Sequence, residues 1–204
     1  MFKSLTIQSS LYLLFLVICS GCHTSVDKGN SSTSRPANLL KTYSNGKGTG
    51  PEQFDGGIKD SFQLGSIELA TGPWLFDDAI LAHSNKDARF YKQSVRIRNY
   101  GAITTQFNVQ GISYLKVNHA AFGTDQPSNW QLLMSEDSGK TFRQIGKTVT
   151  SSSHTLTSAL FTINSNKSLR FEIRKVSGGN NCINIDNVIF CSPLETFENS
   201  VNIP

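Results

Sequence analysis

The chain has 204 residues, 38% of them hydrophobic and 17% charged, with a formal net charge of +4. So modest a basic excess gives no indication of a nucleic-acid partner. Four cysteines and four histidines form no H-E-x-x-H, paired Cys-x-x-Cys or Gly-x-Ser-x-Gly arrangement, so the common zinc and hydrolase signatures are missing.

The N-terminus reads as an export signal. Lys3 supplies a positive start and Leu11 to Ile18 a short apolar run, too short to span a bilayer. Cys19-Ser20-Gly21-Cys22 resembles a bacterial lipobox, with Cys19 where Leu is usual. The resemblance implies removal of residues 1–21, a lipidated Cys22 and attachment to a membrane. His23 stands where an inner-membrane retention signal would place Asp, which implies an outer-membrane lipoprotein, possible at the cell surface. Residues 22–52 are rich in Ser, Thr, Asn, Gly and Lys with almost no apolar periodicity. Such a segment buries too little surface to offset its ordering entropy, and is expected to be a flexible tether.

Residues 53–192 are long enough for one domain with a substantial core, followed by a polar tail, 193–204. Short β-type runs recur between Gly, Asn, Asp and Ser. Ser66–Leu69 and Trp74–Phe76 flank Thr71-Gly72-Pro73. Ser94–Arg98 alternates, and Asn99-Tyr100-Gly101 is expected to turn the chain before strands at Ile103–Val109 and Ile112–Val117. Leu156–Ile163, Leu169–Arg174 and Ile183–Phe190 complete the set. Many short alternating strands and no helical period predict an antiparallel sandwich or barrel.

The most defined stretch is Asn129–Ile145, two strand-like runs around Glu136-Asp137-Ser138-Gly139-Lys140. Trp130, Leu132 and Met134 share one parity and one face. Ser135-x-Asp137-x-Gly139-x-Thr141-Phe142 resembles the Asp-box hairpin, a structural motif. The resemblance implies that the Asp137 carboxylate ties the turn's amides and that Gly139 takes a positive φ.

In order, Gln53–Gly57, Thr71–Ala79, Ser94–Asn99, Trp130 with its hairpin, Leu169–Arg174 and Ile185–Val188 resemble the jelly-roll modules of Gram-negative surface lipoproteins and secreted enzymes. These include galactose-binding-like, MAM-like and choice-of-anchor domains, and the similarity covers about residues 53–192. It implies an all-β jelly-roll sandwich and admits a structural calcium between first and last strands, here at Asp55 and Asp186. The bare residues also allow both carboxylates to accept backbone hydrogen bonds at strand ends.

With Val95 and Ile97 inward, Arg96 and Arg98 face outward; Leu169, Phe171 and Ile173 likewise leave Arg170, Glu172 and Arg174 outward. If those strands are neighbours, four arginines line one sheet surface, either as a mutually paired charged face or as a binding face for polar or anionic groups. Tyr91, Tyr100, His119 and Phe122 are placed on loops or strand ends, free to stack on a sugar or to cover a core edge. His119 with Asp125 and a serine is the one catalytic combination considered. Cys182 and Cys191 bracket a continuous strand and would lie roughly 30 Å apart at ~3.3 Å per residue. A disulfide needs Cα atoms about 4.4–6.8 Å apart, so two free thiols are expected. The leading functional expectation is a non-catalytic, lipid-anchored module binding surface or dietary glycan. The alternatives are an accessory lipoprotein that contacts another envelope protein, and an accessory to or remnant of a secreted hydrolase.

Overall fold

The computed structural model describes residues 51–191. The signal, Cys22, nearly all of the tether and the C-terminal tail lie outside them. Glu52, assigned to the tether, belongs to the folded part: it is buried and pairs with Val188. A lone carboxylate ahead of the first strand carries no apolar pattern to mark it.

Among the described residues, nine antiparallel strands follow in chain order: β1 Gly65–Leu69, β2 Gly72–Ala82, β3 Ser94–Thr105, β4 Ile112–Ala121, β5 Ser128–Ser135, β6 Arg143–Ser151, β7 Thr157–Ser165, β8 Arg170–Lys175 and β9 Ile183–Cys191. They form two layers that share the long hairpin β2–β3. Trp74–Asp77 of β2 pairs with Ala102–Thr105 of β3, whose other edge receives β8, then β5 and β6. Ala79–Ala82 pairs with Ser94–Ile97, and that half of β3 receives β9, then β4 and β7.

Asn99-Tyr100-Gly101 therefore does not reverse the chain; it bends one strand from the first layer into the second. The bend coincides with a register shift between Asp77 and Ala79. Asp78 and Asn99 both take left-handed backbone, at φ 44° and 49°, where short polar side chains are tolerated best. The Asp78 carboxylate accepts from Arg98 Nε at 3.0 Å and from Asn99 Nδ2 at 3.2 Å. Opposite them Gly101 has no room for a side chain, since a Cβ would lie 2.5 Å from the Asp77 carbonyl oxygen. Lys175 is fully buried and donates to the carbonyls of Asn99 and Gly179, each at 2.8 Å. Burial holds its pKa below the ordinary lysine value.

Between the layers, Trp130 packs edge-on to His119 at 5.3 Å and tilted to Phe161 at 5.8 Å. Phe171 meets Phe190 at 5.8 Å. Trp130, Leu132 and Met134 are buried as their parity predicts, as are Val95, Ile97, Leu169, Phe171 and Ile173. At the β5–β6 turn the Asp137 carboxylate accepts from the amides of Lys140 and Thr141, at 3.1 and 2.9 Å, and from both flanking hydroxyls. The Thr141 and Ser135 hydroxyl bonds, with those amides, hold its pKa well below the usual carboxylate range. Gly139 lies at φ 88°. Cys182 and Cys191 form no disulfide among the described residues.

If the corner at Gly101 sets the sandwich, Gly101→Ala should lower unfolding stability by about 1–3 kcal/mol, the usual cost of forcing an atom into a filled space. Gly56→Ala, whose Cβ meets nothing within 4 Å, should change it little. Urea denaturation of the two variants makes the comparison.

Candidate functional site

Between β2 and β3, residues 83–93 fold as a strap over the outer face of the second layer. Alternation in β9 sends Ile183 and Ile185 into the core and Asn184 and Asp186 to the opposite face. Asn184 and Asp186 are nevertheless completely buried, because the strap lies on them. A buried polar group must find partners, and here the strap's backbone supplies them.

The bonds recur along the strap's length. Asp87 Oδ2 accepts from the amide and hydroxyl of Ser84, at 2.8 and 2.7 Å. Asp87 Oδ1 takes Arg96 Nε at 2.8 Å and Asn184 Nδ2 at 2.9 Å. The Ala88 amide donates to Asn184 Oδ1 at 3.1 Å, and the Phe90 amide to Asp186 Oδ2 at 2.6 Å. The amides of Lys92 and Gln93 share Asp55 Oδ1, at 2.8 and 3.1 Å. The Gln93 side chain then bonds the Phe54 carbonyl at 2.7 Å. Phe54 itself sits at φ 59°, a strained setting for a bulky residue. It is held there by Glu52, whose Oε1 accepts its amide at 2.8 Å, and by edge packing on Trp74 at 5.5 Å.

What this strap exposes is aromatic. Phe90 and Tyr91 are 55% and 59% exposed, their rings 4.8 Å apart and nearly perpendicular. Tyr91 is thus a predicted residue that the structure exposes beside a second ring, Tyr100 being exposed in β3, and Asp55, Asp186 and Arg96 are all found holding the loop that carries Tyr91. Phe90, Asp87 and Asn184 were not singled out by sequence. An Asp and an Asn on loops and strands have no pattern that declares a loop clamp, though Phe90-Tyr91 between Arg89 and Lys92 is a visible apolar island.

Asp55 and Asp186 do not fit calcium. That ion takes six to eight oxygens, and these carboxylates are engaged by backbone amides. Among the described residues no group of three or more His, Cys, Asp or Glu converges to hold a metal. Burial pushes the Asp186 pKa up to about 6, against the pull of the Phe90 and Asn187 amides and with the push of the Asp55 and Glu52 charges. For Asp87, burial acts in the same upward direction, but the bonds from Arg96, Ser84 and Asn184 prevail and hold it low.

The four arginines are not gathered on one face. Because β3 bends, Arg96 and Arg98 lie on the half beside β9, whereas β8, with Arg170 and Arg174, pairs with the other half. Each guanidinium has its own acceptor: Arg96 on Asp87, Arg98 on Asp78, Arg170 on Asn108, Arg174 on Glu172. Arg96 and Arg98 also lie over the rings of Phe122 and Phe62, each at 4.0 Å. His119, expected on a loop, is in β4 and faces the core, its Nδ1 2.9 Å from Ser151 Oγ. Burial lowers its pKa. Asp125 instead accepts the Cys182 amide, so the His119–Asp125–serine combination is not assembled.

No family model matches the chain, and no curated protein matches it. Among solved structures it is similar to the K2 cleaved adhesin domain of Lys-gingipain, with 10% identity, 69% of this chain and 96% of that chain covered, and a TM-score of 0.53. It is also similar to the CBM22-1 xylan-binding domain from Paenibacillus barcinonensis, with 8% identity, 72% and 96% coverage and a TM-score of 0.48. At these identities the likeness is one of fold. The chain is a jelly-roll β-sandwich.

The Asp186 carboxyl gives a signed pH dependence. A folded pKa of about 6, above its ordinary value near 4, means that the folded state holds this proton more tightly than the unfolded one. Its contribution favours folding below pH ~4 and is lost as pH rises to ~6. His119, with its lowered pKa, acts in the opposite sense as pH falls through ~6.5, so the two are separated by substitution. Asp186→Asn keeps an oxygen for the Phe90 amide, and should reduce any melting-temperature advantage of pH 5 over pH 7.5 by several degrees. Thermal melts of both proteins at the two pH values measure the difference.

Proposed function

We propose that this chain is a non-catalytic, lipid-anchored envelope protein whose sandwich binds glycan, with the strap as its saccharide site. The observation that carries the reading is the exposed Phe90–Tyr91 pair on a backbone clamped from Ser84 to Gln93. Aromatic rings left in water offer a large apolar surface to the C–H face of a sugar. A clamped backbone reduces the ordering cost that a mobile loop would incur on binding. Polar groups suited to orienting a sugar are close in sequence: Arg89 and Lys92 flank the two rings.

Binding and folding separate cleanly at this site, because the Tyr91 side chain is exposed while the strap is held through backbone amides. Tyr91→Ala should leave the melting temperature within about 1–2 °C of the parent, as surface substitutions usually do. It should weaken retention on the polysaccharide identified by a glycan-array screen of the full chain at least tenfold, equivalent to about 1.4 kcal/mol. Unchanged retention would remove the strap as the site.

The lipid anchor rests on Cys19-Ser20-Gly21-Cys22 and the apolar run before it. Cys22→Ala should move the protein from the membrane to the soluble fraction, or leave its signal uncleaved. Fractionation and processing identical to the parent would exclude lipidation at this residue.

A further inference from the structure

We propose that the strap selects anionic saccharides, binding a carboxylate- or sulfate-bearing sugar through Lys86, Arg89 and Lys92 while the ring stacks on Phe90–Tyr91. The inference rests on reading the strap as the saccharide site, and it follows from where the charges of this region are placed.

Three lysine or arginine residues lie within residues 83–93. Lys86 and Lys92 are exposed and Arg89 is half-buried. Neither lysine ammonium has a partner among the described residues. Arg89 uses one terminal nitrogen on the carbonyls of Ser84 and Asp87, which anchors the guanidinium and leaves its other donors unengaged among the described residues.

The acids of the same region are turned to internal work. Asp87, the strap's sole carboxylate, is buried and paired with Arg96. Asp186 is fully buried beneath Phe90. Asp55 accepts the amides of Lys92 and Gln93. A ligand approaching the two rings therefore meets cations carried by the same short segment, while Asp87, Asp186 and Asp55 already accept bonds from the protein. Guanidinium and ammonium groups beside an apolar platform suit a sugar carrying carboxylate or sulfate oxygens. At exposed sites such attraction is screened by salt, which supplies the readout.

The test uses the full chain and polymer probes of matched length: polygalacturonate and a sulfated galactan as anionic probes, xylan and mannan as neutral ones. Retention on at least one anionic probe should exceed that on both neutral ones. It should fall at least tenfold in the double variant Lys86→Gln, Lys92→Gln, and also in about 0.5 M salt. The Lys92 backbone amide still reaches Asp55 in that variant, so its melting temperature should stay near the parent's. Retention on xylan or mannan that equals the anionic probes, resists the double variant and is lost in Tyr91→Ala would overturn the anionic preference and leave the saccharide site standing. Retention on the anionic probes that Tyr91→Ala does not alter would overturn both, since it would be charge attraction away from the rings.

Discussion

The Asp186 carboxylate lies buried under residues 83–93 with no cationic side chain bonded to it among the described residues, and the shape of the exposed site depends on how it is satisfied. Its partners among the described residues are backbone amides, one from the strap and one from its own strand. An unpaired buried acid would cost more than its bonds return, so the strap and β9 complete each other. Asn184 and Asp87 extend the same arrangement, each bonding both to the strap and to the sheet side. Polar contacts of this kind contribute less to net stability than apolar packing would, but they fix one register. A greasy strap could slide along the sheet. This one is held at defined amides, and Phe90 and Tyr91 are consequently presented in one arrangement.

The strap's two ends belong to the strands that build the sandwich. β2 and β3 each serve both layers, so the loop joining them at one end and the corner at Asp78, Asn99 and Gly101 share a rigid hairpin. Lys175 fastens that corner from the β8 side through Asn99 and Gly179. A bend in a strand normally exposes backbone groups. Here the buried Lys175 ammonium satisfies the Asn99 carbonyl, and the Asp78 carboxylate takes the Arg98 and Asn99 side chains.

Alternation made the layers legible from sequence. The inward parities of Trp130, Leu132 and Met134 and of Leu169, Phe171 and Ile173 depend only on the two-residue period of a strand, which is local. The Asp137 turn was legible for the same reason, since its acceptors and donors lie within a few residues. The corner was not. Asn-Tyr-Gly has the composition of a reversal, and only the partner strands reveal that the chain runs on through it. The arginine face, read from parity and from the two strands being neighbours, fails at the same place: β8 does pair with β3, but only with the half beyond the bend. His119 was misplaced because a histidine opposite a buried serine, Ser151, carries no local mark of the interior. The roles of Asp55 and Asp186 arise from contacts 37 and 96 residues away in sequence, a range over which no spacing rule operates.

The binding reading depends on the strap being a clamped surface and not a mobile loop. Residue-resolved amide hydrogen exchange of the full chain tests it most directly. The amides of Ala88, Phe90, Lys92 and Gln93 should be protected to a degree approaching that of β9, with Phe90 losing protection in Asp186→Ala. Exchange of all four at the rate of an open chain would contradict it.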